Sequence, residues 1–400
     1  MSIKTLKDID VASKTVLIRV DYNVPYNSEM DVIVNDVRIT STLPTINYCL
    51  EQKCKIVIVS HMGRPKGKVT PQMSLEPVAA LLSKILNRKV QFIKTPIGEK
   101  LKAQIATMKS GDIFLLENIR FYPGEENNDD EFAKQLASLA DVYINDAFAA
   151  AHNKHASICA VTKYMKESCA GFLLAKEIEY FEDAMARARR PLCAIIGGAK
   201  VSTKLKAILN ILPRVDSIII GGGMAFTFLK SLGHNIGKSI LEEELIEAAA
   251  TTIALAEMHN TELLFPVDVI AVKEFNNDSP MTITKIDEMP EDQMGVDIGP
   301  ETIKLFSDKI KEAHTIIFNG PMGVFEMPNF SKGTNAIAGA IAQSDCFSIV
   351  GGGDSITAIH AAGVEKQISY LSTGGGAFLE MLEGKVLPAI QALETETVAV

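Results

Sequence analysis

The chain has 400 residues, 47% of them hydrophobic and 22% charged, with 40 basic against 49 acidic side chains and a formal net charge of −9. That balance excludes a disordered tail, a coiled coil and a collagen-like fibre, and the length predicts two or three domains with sizeable cores. Net acidity disfavours general nucleic-acid binding, so any anionic ligand must be held by local cations. No run approaches the roughly 18 apolar residues of a membrane span, and the charged opening MSIKTLKDID is not expected to act as a signal peptide.

Along the first half, short apolar runs occur at TVLIRV (15–20), KIVIVS (55–60), KVQFI (89–93), DIFLLEN (112–118) and VYINDAF (142–148). Helical spacing separates them at LEPVAALLSKIL (75–86) and DEFAKQLASLA (130–140), and the acidic GEENNDDE (124–131) predicts a solvated loop leading into a helix start. A longer helical pattern follows at 170–191, with Phe172, Leu173, Ile178, Phe181 and Met185 on one stripe and Pro191 as its stop. The second half continues with LCAIIGG (192–198), SIIIGGG (217–223), an alanine-rich helix over Ile246 to Met258, LLFPVDVI (263–270), TIIFNG (315–320), FSIVGGG (347–353) and ISYLSTGGG (368–376). Near-continuous apolar strands alternating with helices predict parallel sheets covered on both faces. Eleven strands exceed one ordinary open sheet, so two are expected. The predicted fold class is therefore α/β, with two doubly wound parallel-sheet, Rossmann-like domains joined by a long helix. The glycines mark the divide, five before residue 171 and 22 from there on. The expected domains are 1–170 and 171–385, the second including the connecting helix. The six cysteines (Cys49, Cys54, Cys159, Cys169, Cys193, Cys346) have no CxxC or regular spacing. They predict buried thiols in a reducing cytoplasm.

Ligands of open parallel sheets bind outside the carboxyl ends of the strands. In the first half those ends carry Arg19, Asp21 and Asn23; His61 and Arg64; Arg120; and Asn145 with Asp146, ahead of His152, Lys154 and His155, while Arg38 lies in the loop NDVRI. Four of only nine arginines stand at or near these ends. Guanidinium offers paired donors to phosphate and carboxylate, so a small, multiply anionic substrate is the natural reading. Arg19 is the weakest of the four, because strand alternation can turn it away from Asp21 and Asn23.

In the second half the strand ends carry Gly197-Gly198, Gly221–Gly223, Gly351–Gly353 and Gly374–Gly376, each ahead of a stretch able to start a helix. Glycine lets backbone N–H groups approach phosphate, so the four clusters point to a nucleotide, with Lys200 and Lys204 one turn apart after the first. Asp354 is placed for Mg²⁺, or for a helix cap. GHNIGKS (233–239) has Leu232 where a P-loop needs glycine, and reads as an interhelical turn. The first strand lacks GxGxxG, which disfavours a nicotinamide dehydrogenase. No HExxH or GxSxG occurs.

Together the motifs RVDYNVP (19–25), SHMGRP (60–65), LLENIRF (115–121), DVYINDAF (141–148), GGAKVSTKL (197–205), IIIGGGMAFTF (218–228), DIGPET (297–302), FNGPMGVFE (318–326), VGGGDS (350–355) and STGGGAFLE (372–380) resemble, in order, the phosphoglycerate kinase family. The resemblance implies a bilobal, hinge-closing glycolytic kinase. It would move the acyl phosphate of 1,3-bisphosphoglycerate to Mg-ADP, giving 3-phosphoglycerate and ATP. It implies Asp21, Asn23, Arg38, His61, Arg64, Arg120 and His152 as phosphoglycerate ligands. Lys204, Gly299, Glu326 and Gly352 to Ser355 are the implied nucleotide ligands, with Asn319 in the nucleotide-phosphate region and Gly222 in the neighbouring glycine cluster. It also implies a C-terminal tail, about 386–400, returning to the first domain. A cytoplasmic monomer is expected, with small-molecule partners and neither nucleic acid nor membrane. One departure stands out: the family's AHRAH is Ala151-His152-Asn153-Lys154-His155 here, so Asn153 replaces a phosphate-binding arginine and Lys154 is a candidate for partial rescue.

Direct in-line transfer is the expected mechanism, since phosphoryl transfer rests on positioning and charge stabilisation. Arg38 from one lobe, Lys200 from the other, and the N–H groups of Gly374 and Gly375 to Gly376 would meet the moving charge after domain closure. A binding protein on the same fold, inactivated at Asn153, is the alternative that a coupled ATP assay separates.

Overall fold

A computed structural model describes residues 3–27 and 32–394. The chain forms two compact units, Met1–Ile178 with Val386–Val400, and Glu179–Lys385. Residues 395–400 of the expected tail lie outside the described residues. Each unit is built on its own six-stranded parallel sheet.

In the first unit the strand order is Val90–Ile93, Ile113–Leu116, Lys55–Val59, Thr15–Val20, Val142–Asp146, Ser168–Ala170. The first strand in sequence lies inside the sheet, paired in parallel with Lys55–Val59 on one side and Val142–Asp146 on the other. That reversal of direction opens a crevice at its carboxyl end. Val16, Ile18, Ile56, Ile58, Leu115 and Ile144 belong to one buried cluster, each contributing about 1.5–3 kcal/mol on burial. Helix Asp130–Ala137 buries Phe132, Ala133, Leu136 and Ala137, and the Asp129 carboxylate caps it by accepting from Phe132 N–H at 2.7 Å.

The expected long helix is present with shorter bounds, and the acidic stretch is corrected. The helix predicted from 170 begins at Phe172 and ends at Met185, with the short strand Ser168–Ala170 ahead of it. The helix start is set by Asp146, whose Oδ1 accepts from Leu173 N–H at 2.8 Å and Leu174 N–H at 3.2 Å. Asp146 is thus a buried helix cap rather than a ligand group, and burial pushes its carboxyl up to about 7. Nor is GEENNDDE a wholly solvated loop: Pro123–Glu126 is a short helix and Glu125 is fully buried. Its carboxylate accepts from Ser157 N–H at 2.8 Å and Ser157 Oγ at 2.6 Å, and lies 4.0 Å from the Arg19 guanidinium. Glu125→Ala would strand the buried Arg19 charge and is expected to cost about 3–5 kcal/mol, read from urea unfolding, with Glu125→Gln costing less.

In the second unit the order is Glu262–Leu264, Ser217–Ile220, Leu192–Ile196, Thr315–Asn319, Phe347–Val350, Tyr370–Leu371. Leu192–Ile196 and Thr315–Asn319 are buried along their whole length, as strands covered on both faces should be. LLFPVDVI is not one strand. It breaks at Pro266, which has no N–H for a ladder: Glu262–Leu264 stays at the edge of the parallel sheet, while Asp268–Val272 joins an antiparallel sheet with Thr282–Lys285 and Met294–Ile298. All six cysteines are free thiols, Cys159 and Cys346 being only partly buried. Among the described residues no helix is long and apolar enough to cross a membrane.

Candidate active site

At the crevice of the first sheet lies a cavity of about 260 Å³, lined by Asp21, Asn23, Arg38, His61, Gly63, Arg64, Arg120, Ala149, His152 and Asn153. Every substrate residue expected from sequence is in that wall. Asp21 follows the strand Thr15–Val20, and His61 follows Lys55–Val59. The Arg38 Nη1 donates to the Asn23 carbonyl at 2.8 Å and reaches Asp21 Oδ1 at 3.4 Å. Asn23 Oδ1 accepts from Gly63 N–H at 2.9 Å, and Arg120 Nη1 donates to the Gly63 carbonyl at 2.7 Å, so one loop seats both. Burial would raise the pKa of Asp21, but the positive charges around it, His61 when protonated together with Arg38 and Arg19, outweigh it and hold the carboxyl below its usual range.

Arg19 is not in the wall. It is fully buried, donating from Nε to Ser157 Oγ at 2.8 Å, from Nη1 to the Val20 carbonyl, and lying with Nη2 3.2 Å from His61 Nδ1. Arg19 lies within the strand Thr15–Val20, which ends before Asp21 and Asn23, and its guanidinium is received inside by the buried Ser157 and Glu125. His155 is likewise behind the wall, with Nδ1 3.7 Å from Glu125 Oε1, and burial lowers its pKa to about 4. Asn145 is buried and accepts from Ala147 N–H at 3.1 Å. Asn153 donates from Nδ2 to the Ala150 carbonyl at 3.1 Å, while Lys154 is exposed and outside the wall.

In the second unit the glycine clusters divide into two kinds. The N–H groups of Gly197, Gly198, Gly221 and Gly222 donate to the carbonyls of Asn319, Pro321, Ile196 and Met322. They knit the strand ends together and are not open to phosphate, contrary to the sequence reading. Gly222 has φ of 69°, and a Cβ there would sit 2.6 Å from the Gly198 carbonyl oxygen. The later clusters differ in part: the Gly351 N–H donates to the Phe318 carbonyl and the Gly374 N–H to Ser372 Oγ at 3.4 Å, but Gly353 and Gly375 open the helices Gly353–Ala361 and Gly375–Leu382, whose first-turn N–H groups have no acceptor within the helix. A Cβ on Gly375 would lie 3.0 Å from Gly352 Cα, so the two helix ends abut.

Lys204 and Asn319 meet beside these ends. Lys204 Nζ donates to Asn319 Oδ1, and Asn319 Nδ2 donates to the Gly351 carbonyl at 2.8 Å. Burial lowers the Lys204 pKa to about 8, against the pull of Asp354. Ser355 Oγ accepts from Gly320 N–H at 2.6 Å. Asp354 is exposed in the first helical turn; Gly352 takes the cap position. Lys200 is exposed at the start of the short turn Val201–Thr203, so it and Lys204 do not form one helical face.

Next to this cluster is a second cavity of about 310 Å³, whose wall includes Gly222, Glu326 and Asp354 together with Phe226, Ile240, Val269, Met294, Val296 and Val324. Its apolar side went unseen in the sequence, because Val269, Met294 and Val296 come from the antiparallel sheet that LLFPVDVI concealed. Lys238 also lines it; no motif signals this, since GHNIGKS is not a P-loop and lies between helices Ala225–Ser231 and Ile246–Met258. Gly299 stands outside this wall, next to Ile298 and against the Asp268 carboxylate.

The family model for phosphoglycerate kinase matches residues 6–385. A phosphoglycerate kinase of Geobacter metallireducens is 51% identical over 395 residues, covering 98% of this chain and 99% of its own. One from Dictyoglomus turgidum is 50% identical, with 98% of each chain covered. Among solved structures, phosphoglycerate kinase from Coxiella burnetii superposes with a TM-score of 0.91 at 44% identity, over 98% of this chain and 99% of that one. The Pyrococcus horikoshii OT3 enzyme gives 0.83 at 31% identity, over 98% of both chains. With its two parallel-sheet units, its cationic cavity and its paired glycine-led helices, the chain belongs to the phosphoglycerate kinase family.

Proposed function

We propose that this chain catalyses the reversible transfer of the acyl phosphate of 1,3-bisphosphoglycerate to ADP, giving 3-phosphoglycerate and ATP. The observation that carries the reading is the gathering of Arg38, Arg64, Arg120, His61 and His152 around one small cavity in an otherwise acidic chain. That wall suits a three-carbon acid bearing phosphate, with Asp21 and Asn23 orienting the cations and accepting from a hydroxyl. In the second unit, the apolar cavity suits a purine, and the ends of Gly353–Ala361 and Gly375–Leu382 suit its phosphates, with Lys204, Asn319 and Ser355 around them. Gly299 supports the wall from behind, and Glu326 is available to the ribose hydroxyls. A coupled assay starting from 1,3-bisphosphoglycerate and ADP tests the activity: ATP formation at tens per second or more is expected, and none would leave only a binding protein.

Asp354 is an exposed carboxylate beside the phosphate cradle, and no group of three or more His, Cys, Asp or Glu side chains that could hold a metal gathers among the described residues. That donor set fits Mg²⁺, which takes one or two carboxylates and fills its remaining positions from nucleotide phosphates and water. Bound there, the ion would neutralise phosphate charge. The chain's own groups do the positioning: Arg38 and Lys200 meet the charge of the transferring group, the N–H groups of Gly375 and Gly376 hold its oxygens, the Gly374 N–H being taken by Ser372 Oγ, and Lys204 holds the nucleotide phosphates. Direct transfer requires both substrates to come within bonding reach, so a closed reactive form excluding water is part of the proposal. Small-angle scattering with both substrates is expected to show compaction. The free thiols suit a cytoplasmic enzyme, and a monomer is proposed with it.

Asn153 leaves the acid-phosphate cavity one fork-shaped donor short, and the exposed Lys154 lies outside its wall. Asn153→Arg is therefore expected to lower the KM for 3-phosphoglycerate about 10-fold. Lys154→Ala should leave that KM within about 2-fold, since an exposed ammonium is screened; steady-state kinetics at physiological salt checks both, and a large rise for Lys154→Ala would restore the rescue.

A further inference from the structure

Arg19 touches His61 from behind the cavity. Its Nη2 lies 3.2 Å from His61 Nδ1, and a guanidinium has five N–H donors and no acceptor. Nδ1 must then be the acceptor, with its lone pair turned towards Arg19. Asp21 Oδ1 lies 3.9 Å from Nδ1, beyond hydrogen-bond reach, so it does not hold a proton there. A neutral imidazole that accepts at Nδ1 carries its proton on Nε2. The charged ring is disfavoured too, since it would set an Nδ1–H against the guanidinium N–H; burial, with Arg19 and Arg120, lowers the His61 pKa to about 3 despite Asp21.

The guanidinium is itself fixed. Nε donates to Ser157 Oγ at 2.8 Å, that hydroxyl donates to Glu125 Oε1 at 2.6 Å, Ser157 N–H donates to Oε2 at 2.8 Å, and Tyr143 Oη donates to the Ser157 carbonyl at 2.6 Å. We propose that Arg19 is a positioning residue that locks His61 in the Nε2–H form, so that a neutral ring donates a hydrogen bond from Nε2 to an anionic oxygen of the substrate. The opposite tautomer would turn a lone pair on the anion. The lock thus makes His61 a donor without adding a further positive charge to a wall that already holds three arginines.

The donor role rests on the cavity being the phosphoglycerate site, whereas the tautomer can be read on the ligand-free protein. Long-range ¹H–¹⁵N correlation spectra of the wild type at pH 7, with His61 assigned by its loss in His61→Gln, should show Nε2 protonated and Nδ1 bare. A proton on Nδ1, or a charged ring, would overturn the proposal. The charge-balanced double variant Arg19→Met/Glu125→Gln should let the Nδ1–H form appear; an unchanged tautomer there would remove Arg19 from the account. Glutamine can place an amide N–H near the Nε2 position and asparagine near Nδ1. His61→Gln should therefore keep the KM for 3-phosphoglycerate within about 3-fold, while His61→Asn raises it about 10-fold or more with kcat changing less. The reverse order would overturn the donor role. An Nε2–H ring with normal KM in both variants would uphold the lock and count instead against the cavity as the substrate site.

Discussion

Replacing Arg38 with alanine is expected to lower kcat by about 10³-fold, the low end of what a transition-state arginine contributes to phosphoryl transfer. Among the described residues, the hydrogen bonds of this side chain are both made by Nη1, to the Asn23 carbonyl and to Asp21 Oδ1. The Nη2 and Nε donors are therefore left for a ligand, while Nη1 fixes the plane of the fork. Arg38 is half-buried in the cavity wall, so its charge is less screened than that of a surface arginine. Arg38→Lys should recover no more than about 10-fold, because an ammonium supplies charge without the fork. Steady-state kinetics with both substrates varied, beside an unchanged urea midpoint, separates this from unfolding; a kcat within 3-fold of wild type would remove Arg38 from the chemistry.

Lys204→Met should lower kcat/KM for the nucleotide by about 10²–10³-fold, as loss of a buried charge facing phosphate does. The pH dependence is more diagnostic. Burial lowers the Lys204 pKa to about 8, with Asp354 opposing. Below pH 8 the ammonium is present and favours a polyphosphate; above it the free enzyme loses that charge. Wild-type kcat/KM for the nucleotide should therefore fall towards tenfold per pH unit above 8, while Lys204→Arg, which stays charged, should be flatter there. Stability moves the other way. Between pH 8 and the ordinary value of 10.5, the unfolded chain binds the extra proton, so wild-type stability rises relative to Lys204→Met as pH increases through that window. A wild-type profile without an inflection near 8 would mean that Lys204 is not the group the nucleotide senses.

Much of the first unit's site was legible because its side chains follow strands directly. Asp21, His61 and Asp146 each stand at or just after a strand's carboxyl end, and the apolar runs located those ends within a residue or two. What the runs could not tell was which way each group turns. Asp146 went to cap a helix, and Arg19 went inward because Glu125 and Ser157 were there to receive it. Glu125 itself sits in an acidic stretch that looks solvated, since only tertiary neighbours decide which member of such a run is buried. In the second unit, glycine clusters at strand ends carry the same sequence sign whether their N–H groups meet carbonyls or remain open. Gly197 and Gly222 meet the carbonyls of Asn319 and Met322; Gly353 and Gly375 begin helices. The apolar cavity was hidden for a different reason: Pro266 divides a continuous apolar run between two sheets, and nothing in the run itself reveals where the second half pairs.

The most direct measurement is calorimetric titration of 3-phosphoglycerate and of Mg-ATP, separately, into wild type, Arg64→Ala and Asp354→Asn. Arg64 lines the cavity of the first unit and Asp354 that of the second. Arg64→Ala should weaken 3-phosphoglycerate binding about 10-fold or more and leave Mg-ATP unchanged, and Asp354→Asn should do the converse. Effects that cross, with Arg64→Ala weakening Mg-ATP while sparing the acid, would contradict the assignment of one ligand to each unit.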